Sequence, residues 1–516
     1  MKKSKLFMII SLSVLVITII VSGTYALYKA QLSKNIGVNT TTHGLAYYIN
    51  YVKGTDITAA TLNPSTSYEG GASSNIEFWK KDDSYDIYGK IELTVNTIGT
   101  NLKNSPAIKY AVVNNGNVLK EGSLKGTTSG SKVTILKNLY LEQTKQIYTV
   151  YVWLDKSEEL GDISNESLSI SVDCTASLQK EPTAADTIIS LYTSAEKETI
   201  QNNSIDYHIA PSVSLMNDRL GGTTTDLDGG NIRYYGANPN NYIYFNCSDY
   251  SNQTSSTCET WRIIGVFNGK LKIMRNESIG KYSWDNKDTS TGAENNAGKN
   301  DWTTARLMKL LNPVDYYTVD PNDNNLGQSL YYNSTSGKCY SGGDNANATN
   351  DCDFTSTGIK NEETRNMIAE TTYNLGGWNS DLVYPNLIYE KERGTTVYTG
   401  RPTTWTGKIA LAYLSDYGYA ADLNKCKDKT LYDYNNSTCT SNNWMKAIIA
   451  PNYGWLLLPN SDESSGAWSA YSDGSFYLEY ACISNGVVPV LSLSSELGIV
   501  SGAGDGSSSN PYKLSA

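Results

Sequence analysis

Histidine is nearly missing from this chain: His43 and His208 are the two copies in 516 residues. A histidine-based metal centre, or a histidine acting as general base, has almost nothing to be built from. Charge is scarce as well. Asp, Glu, Lys and Arg make up 18% of the residues, and the net charge is −10. A nucleic-acid partner is excluded on that ground, because a phosphate backbone needs a basic patch. What replaces charge is tyrosine, with 39 copies, among abundant Asn, Ser, Thr and Gly. Tyrosine offers contact area at low entropic cost and the small polar residues offer hydrogen bonds, so such surfaces are adaptable. At this length two or three domains are expected.

The N-terminus reads as an export segment. Lys2, Lys3 and Lys5 precede an apolar run, Leu6–Val21, and small residues follow in Ser22-Gly23-Thr24-Tyr25-Ala26. A basic start, an apolar middle and small residues at Thr24 and Ala26 describe a signal peptide over 1–26, with cleavage after Ala26. Extended to Leu27, the run is also long enough for a retained membrane anchor over 6–27. Either way the bulk of the chain is placed outside the cell, in the extracellular space or envelope.

Residues 27–178 carry runs that alternate at period two: Ile91–Val95, Ile108–Val113, Val133–Leu136, Ile147–Leu154 and Leu168–Cys174. Asn115-Gly116 between two of them is a hairpin signal. Short strands with turn signals between them predict an all-β sandwich. Residues 179–230 read as a linker. It holds one short helix over Ala184–Tyr192, capped by Thr183, and a polar loop in which Asp226 and Asp228 read as an Asx turn rather than a metal site.

Residues 231–516 open on a second hairpin. Trp261–Val266 and Leu271–Met274 flank Asn268-Gly269, the dipeptide type I′ turns favour because both central residues take positive φ. The late run Val487–Leu493 is expected beside that hairpin, closing the unit. Between them, helices are predicted at Asp301–Pro313, with Asp301 as N-cap, and at Asn361–Asn374, with Asn361 as N-cap. A long polar stretch, Trp378–Gly407, then leads into strands at Ile409–Leu414, Trp455–Leu458, Ala467–Tyr471, Phe476–Ala481 and Val487–Leu493. Hairpin, two helices, loop and strand meander predict an α+β C-type-lectin-like domain.

Two resemblances follow from these residues. Gly23-Thr24-Tyr25-Ala26-Leu27-Tyr28 and the stretch Ile147–Cys174 resemble the camelysin/TasA group of exported Gram-positive proteins. That resemblance implies a jelly-roll-like sandwich and, for some members, assembly into matrix fibres. Camelysin is described as a protease, but no metal-ligand cluster is found here to match it, and His43 stands alone. The second unit resembles an uncharacterised domain family of Gram-positive surface proteins. The matching marks are Trp261–Val266, Leu414–Ala420, Gly454–Pro459 and Val487–Leu514. Its architecture is similar to that of C-type lectins and formylglycine-generating enzymes. The chain departs from both. The calcium-ligand triplets of sugar-binding lectins are absent or out of order at Trp284-Asp285-Asn286 and Trp378-Asn379-Ser380-Asp381. Of the paired C-terminal cysteines of the enzymes, only Cys482 stands in that part of the chain.

Eight cysteines in an exported chain invite disulfides. Cys247/Cys258, Cys339/Cys352 and Cys426/Cys439 each flank a polar loop and are expected to pair. Cys174 and Cys482 read as buried thiols, with an interdomain bridge as the alternative. Trp284, Trp302, Trp378, Trp405 and Trp468 are candidates for a sugar-stacking platform, with Trp302 and Trp468 also fitting core positions. Trp378 and Trp405, in the long polar stretch, are the expected exposed pair. No metal or cofactor is expected. The reading is a non-enzymatic cell-surface protein for adhesion or recognition, binding an extracellular glycan or protein. The alternatives are a structural subunit of a matrix or fibre, and an envelope-acting enzyme with a carboxylate pair such as Asp416 and Asp422.

Overall fold

The computed structural model describes residues 30–31, 48–58, 62–158, 160–163, 166–220, 230–285, 297–318, 327–341, 349–380 and 382–515. The segment 6–27, expected as a signal or membrane anchor, and His43, Asp226 and Asp228 lie outside the described residues. Among the described residues no helix is long and apolar enough to cross a membrane. The chain divides into two compact units, 1–181 and 182–516.

In the first unit the period-two pattern becomes two sheets, antiparallel along their main paths, with the short strand 64–65 added parallel to 147–155. Strand Tyr88–Ile98 buries Ile91, Leu93 and Val95, and strand Ala72–Lys80 buries Ile76 and Phe78 in the same rhythm. One sheet runs in the order 30–31, 168–177, 88–98, 132–140; the other runs 49–52, 72–80, 147–155, 108–114, 117–123. Their inner faces share one core, with Leu93 and Val172 from the first sheet and Phe78, Val112 and Val150 from the second. The sandwich is therefore as its alternating strands require. Asn115 and Gly116 take φ of 50° and 79°, the expected hairpin turn.

The second unit is built on a nine-stranded antiparallel sheet. Its order is 198–202, 205–210, 215–217, 232–234, 259–267, 270–275, 490–492, 409–410, with 242–245 pairing onto 259–267. The expected neighbours meet: Lys272, Ile273 and Met274 pair with Ser492, Leu491 and Val490. Asn268 and Gly269 turn the hairpin with φ of 49° and 72°. Strands Glu259–Phe267 and Lys270–Arg275 are buried nearly throughout, because both faces of the sheet are covered. Ile263, Leu271 and Ile273 pack with helices Ala184–Ser194 and Arg306–Leu311. Ile264, Met274 and Val490 pack with helix Leu414–Tyr419 and strand Gly454–Pro459.

Several expectations change. The stretch 179–230, expected as a linker, supplies three strands of this sheet, and its helix Ala184–Ser194 is capped by Thr183 and Asp186 in a capping box. Alternating Ile200, Tyr207 and Ile209 are the buried residues that hold those strands. The helix expected from Asp301 begins at Arg306 instead. Asp301 spends its carboxylate on Thr303, accepting from N at 3.0 Å and Oγ1 at 2.7 Å. Asn361 does cap a helix, accepting from Thr364 N, but that helix stops at Met367. Thr371–Asn374 becomes a strand on Thr404–Gly407, as β-branched and aromatic residues favour. The polar stretch 378–407 is not one loop: it carries helix Pro385–Glu392, with Pro385 at its first turn.

Candidate functional site

Four of the five candidate platform tryptophans, Trp284, Trp302, Trp405 and Trp468, are interior. Trp455, Trp284, Trp302, Trp405 and Tyr373 form a chain of ring contacts with centroids 5.0 to 6.2 Å apart. Trp405, expected to be exposed, is 7% exposed, stacks on Tyr373 and donates from Nε1 to Tyr316 O at 3.2 Å. It faces inward because it sits on a strand whose buried positions alternate. Trp468 is buried and donates to Trp378 O. Trp378 is half-buried, with Lys391 Nζ 4.8 Å from its ring centroid.

Tyrosines hold the aromatic surface instead. Strand Phe476–Tyr480 is the outer strand of a three-stranded sheet with Gly466–Ala470 and Gly454–Pro459. Tyr477 and Tyr480 are about half exposed there. Tyr471 lies 4.3 Å from Tyr477 and 4.8 Å from Tyr453, centroid to centroid. Tyr453 is exposed from a left-handed backbone, φ 55°, which a bulky residue takes at a cost of order 1–3 kcal/mol. Lys281 Nζ stands 5.4 Å from the Tyr453 ring, and Glu479 accepts from the Tyr471 hydroxyl. Three rings in contact, with one cation and one anion at the margin, make a polar-edged aromatic surface. Tyrosine abundance pointed to such a surface; the sequence placed a strand at Phe476–Ala481 but not the exposure of Tyr477 or the approach of Tyr453. Two hollows among the described residues hold about 20 and 10 Å³, too little for a small organic ligand.

A buried ionic cluster joins the nine-stranded sheet to helix Leu414–Tyr419. Arg233 donates from Nε to Asp218 Oδ2 at 2.5 Å and from Nη1 to Asp416 Oδ1 at 2.9 Å. Lys272 Nζ donates to Asp416 Oδ2. Asp416 also accepts from Tyr413 N at 3.0 Å, which caps helix Leu414–Tyr419. Burial works against the Arg233 charge, but Asp218 and Asp416 outweigh it and hold its pKa high. Aromatic rings of Phe267 and Tyr419 lie 4.6 and 4.7 Å from the guanidinium carbon. Glu392, fully buried at the end of its helix, accepts from Ser415 N at 2.8 Å and Ser415 Oγ at 2.5 Å. Burial pushes its pKa up to about 7, and nearby Asp416 adds to the rise. Asp416 is thus sealed and neutralised by two cations, whereas Asp422 ion-pairs with Lys425 at 3.7 Å. The sequence signals for this cluster were Lys272 inside an apolar strand and Gly265 in the strand beside it.

The three expected cysteine pairs are disulfides: Cys247–Cys258, Cys339–Cys352 and Cys426–Cys439. They indicate an oxidising or extracellular environment. Cys174 and Cys482 are buried and lie outside these bridges. Among the described residues no group of three or more His, Cys, Asp or Glu side chains is placed to hold a metal ion.

No family model matches the chain, and no curated protein matches it. Among solved structures, the binding domain of botulinum neurotoxin serotype D is similar over 49% of this chain and 75% of its own length, at 14% identity and a TM-score of 0.15.

Proposed function

We propose that the protein is an exported cell-envelope protein that recognises an extracellular ligand, without catalysis, through its second unit. The observation that carries this reading is the run of contacting rings Tyr453, Tyr471 and Tyr477 beside and on the three-stranded sheet, with Tyr453 and Tyr477 exposed and Tyr471 half-buried between them. Aromatic faces pack on the apolar faces of sugars, and phenol groups donate and accept hydrogen bonds at the edge. A glycan is the ligand this chemistry favours, with a protein surface as the other. The disulfides support export, with residues 6–27 as signal or membrane anchor. The strand 490–492 beside 270–275 supports a C-type-lectin-like arrangement for the second unit. Glycan and protein arrays probed with the full exported chain test the reading. Binding that is lost in Tyr477→Ala supports it; no ligand at micromolar concentration counts against it.

A second reading, a fibre or matrix subunit, rests on a separate observation. Strand Asn117–Ser123 is the edge of its sheet and leaves Val118 and Leu119 each 43% exposed. Exposed apolar edges invite pairing with another chain. Electron microscopy of the exported protein separates the two readings, since strictly monomeric particles remove the second.

A further inference from the structure

Lys272 sits mid-strand, hydrogen-bonded neighbours on both sides, with its side chain 7% exposed. Its amine is in contact with the Asp416 carboxyl, which is 1% exposed. Tyr413 and Phe267 wall the amine, their ring centroids 4.4 and 5.2 Å from Nζ. Arg233 Nη1 holds the other oxygen, Oδ1, at 2.9 Å, and Tyr413 N shares Oδ2 with the amine at 3.0 Å. An amine and an acid held together, out of water, with donors already on the carboxyl oxygens, have the parts an acyl transfer needs. Fixed proximity removes the cost of encounter. Donors preset on the carboxyl stabilise the charge that develops on its oxygen. Sealing the site removes the water that would reverse the reaction.

We propose that Lys272 and Asp416 condense into an intramolecular amide, a covalent tie between the central sheet and helix Leu414–Tyr419. A proton first passes from the Lys272 ammonium to the Asp416 carboxylate, leaving a neutral amine and a neutral acid. The Nζ lone pair then forms a bond to Cγ, and negative charge gathers on Oδ1 opposite Arg233. A second proton moves from Nζ to the Oδ2 hydroxyl, Oδ2 leaves as water, and the carbonyl reforms at Oδ1. One N–C bond forms, one C–O bond breaks, and no oxidant is needed. Burial lowers the Lys272 pKa toward the free amine. Against the burial that would raise it, Lys272 and Arg233 hold Asp416 low, so the neutral pair is a minor form from which the bond-forming step proceeds. The disulfides close loops of 11 to 13 residues, whereas this amide spans 144. It is independent of the recognition reading.

Peptide mapping of the purified, reduced full chain tests the proposal without any variant. The expected product of trypsin is a branched species, Leu271–Arg275 joined to Ile409–Lys425, lighter than the two together by one water and uncut after Lys272. Complete cleavage after Lys272, with unlinked Ile409–Lys425, overturns it. Lys272→Arg keeps the positive charge but does not condense. On a reduced denaturing gel the wild-type chain should run ahead of this variant, and equal mobility counts against the link.

Discussion

Arg233 and Lys272 occupy one cross-strand row, on either side of Gly265, and both donate to Asp416. The glycine is what lets the strands close. A β-carbon at Gly265 would stand 2.1 Å from Ile232 O, a backbone atom with no freedom to retreat. Gly265→Ala is therefore expected to cost roughly 1–3 kcal/mol, as overpacking in a core does. Urea unfolding measures it; a variant as stable as wild type would mean that the row does not need its gap.

The Asp218–Arg233 pair should behave as a buried ion pair. Removing one partner strands the other charge, so Asp218→Ala and Arg233→Met are each expected to lose roughly 3–5 kcal/mol. The double variant should lose clearly less than the two losses added together, because it leaves no orphan on that side. A double-mutant cycle in urea reads the coupling. Strict additivity would show that the two side chains act independently.

The elements legible in sequence were those with a local signal. Alternation gave the sandwich strands, Asn-Gly gave both hairpins, and cysteine spacing gave three bridges. The helix boundaries at Arg306 and Met367 escaped because a neighbouring turn and a strand partner, not propensity, set them. Trp405 was misplaced for the same reason: polar neighbours in sequence say nothing of the strand it pairs with. Arg233, Lys272 and Asp416 are spread across 183 residues, so their meeting is a property of the sheet order. The short strands at 198–217 have too few apolar residues each to announce a sheet that the later chain completes.

Glu392 should give the second unit an unusual acid-side pH dependence. Its pKa stands at about 7 in the fold, raised first by burial, against a usual 4.5. The folded state therefore holds a proton that the unfolded state has released between those two values. Stability from this group must fall as pH rises through that window, by roughly tenfold in the folding equilibrium per pH unit, and then level off above about 7. Glu392→Gln carries no titrating proton and should flatten the slope. Chemical denaturation at pH 5, 6, 7 and 8 compares the two proteins, and an unchanged slope in the variant removes Glu392 as its source.

Trp405 and Tyr477 should separate packing from recognition. Trp405 fills the core between Tyr373 and Trp302 and loses a hydrogen bond to Tyr316 O if truncated. Trp405→Ala is expected to cost about 3–5 kcal/mol, the usual penalty for emptying a large aromatic site. Tyr477 is 48% exposed and touches Tyr471 at the surface, so Tyr477→Ala should stay within about 0.5 kcal/mol of wild type. Its effect belongs in binding: at temperatures where both variants are folded, glycan retention should fall for Tyr477→Ala and hold for Trp405→Ala. Thermal melts paired with retention on immobilised glycans give both readouts. The opposite pattern, with retention lost only when Trp405 is removed, would move the recognition surface away from the tyrosines and back toward the strand Thr404–Gly407.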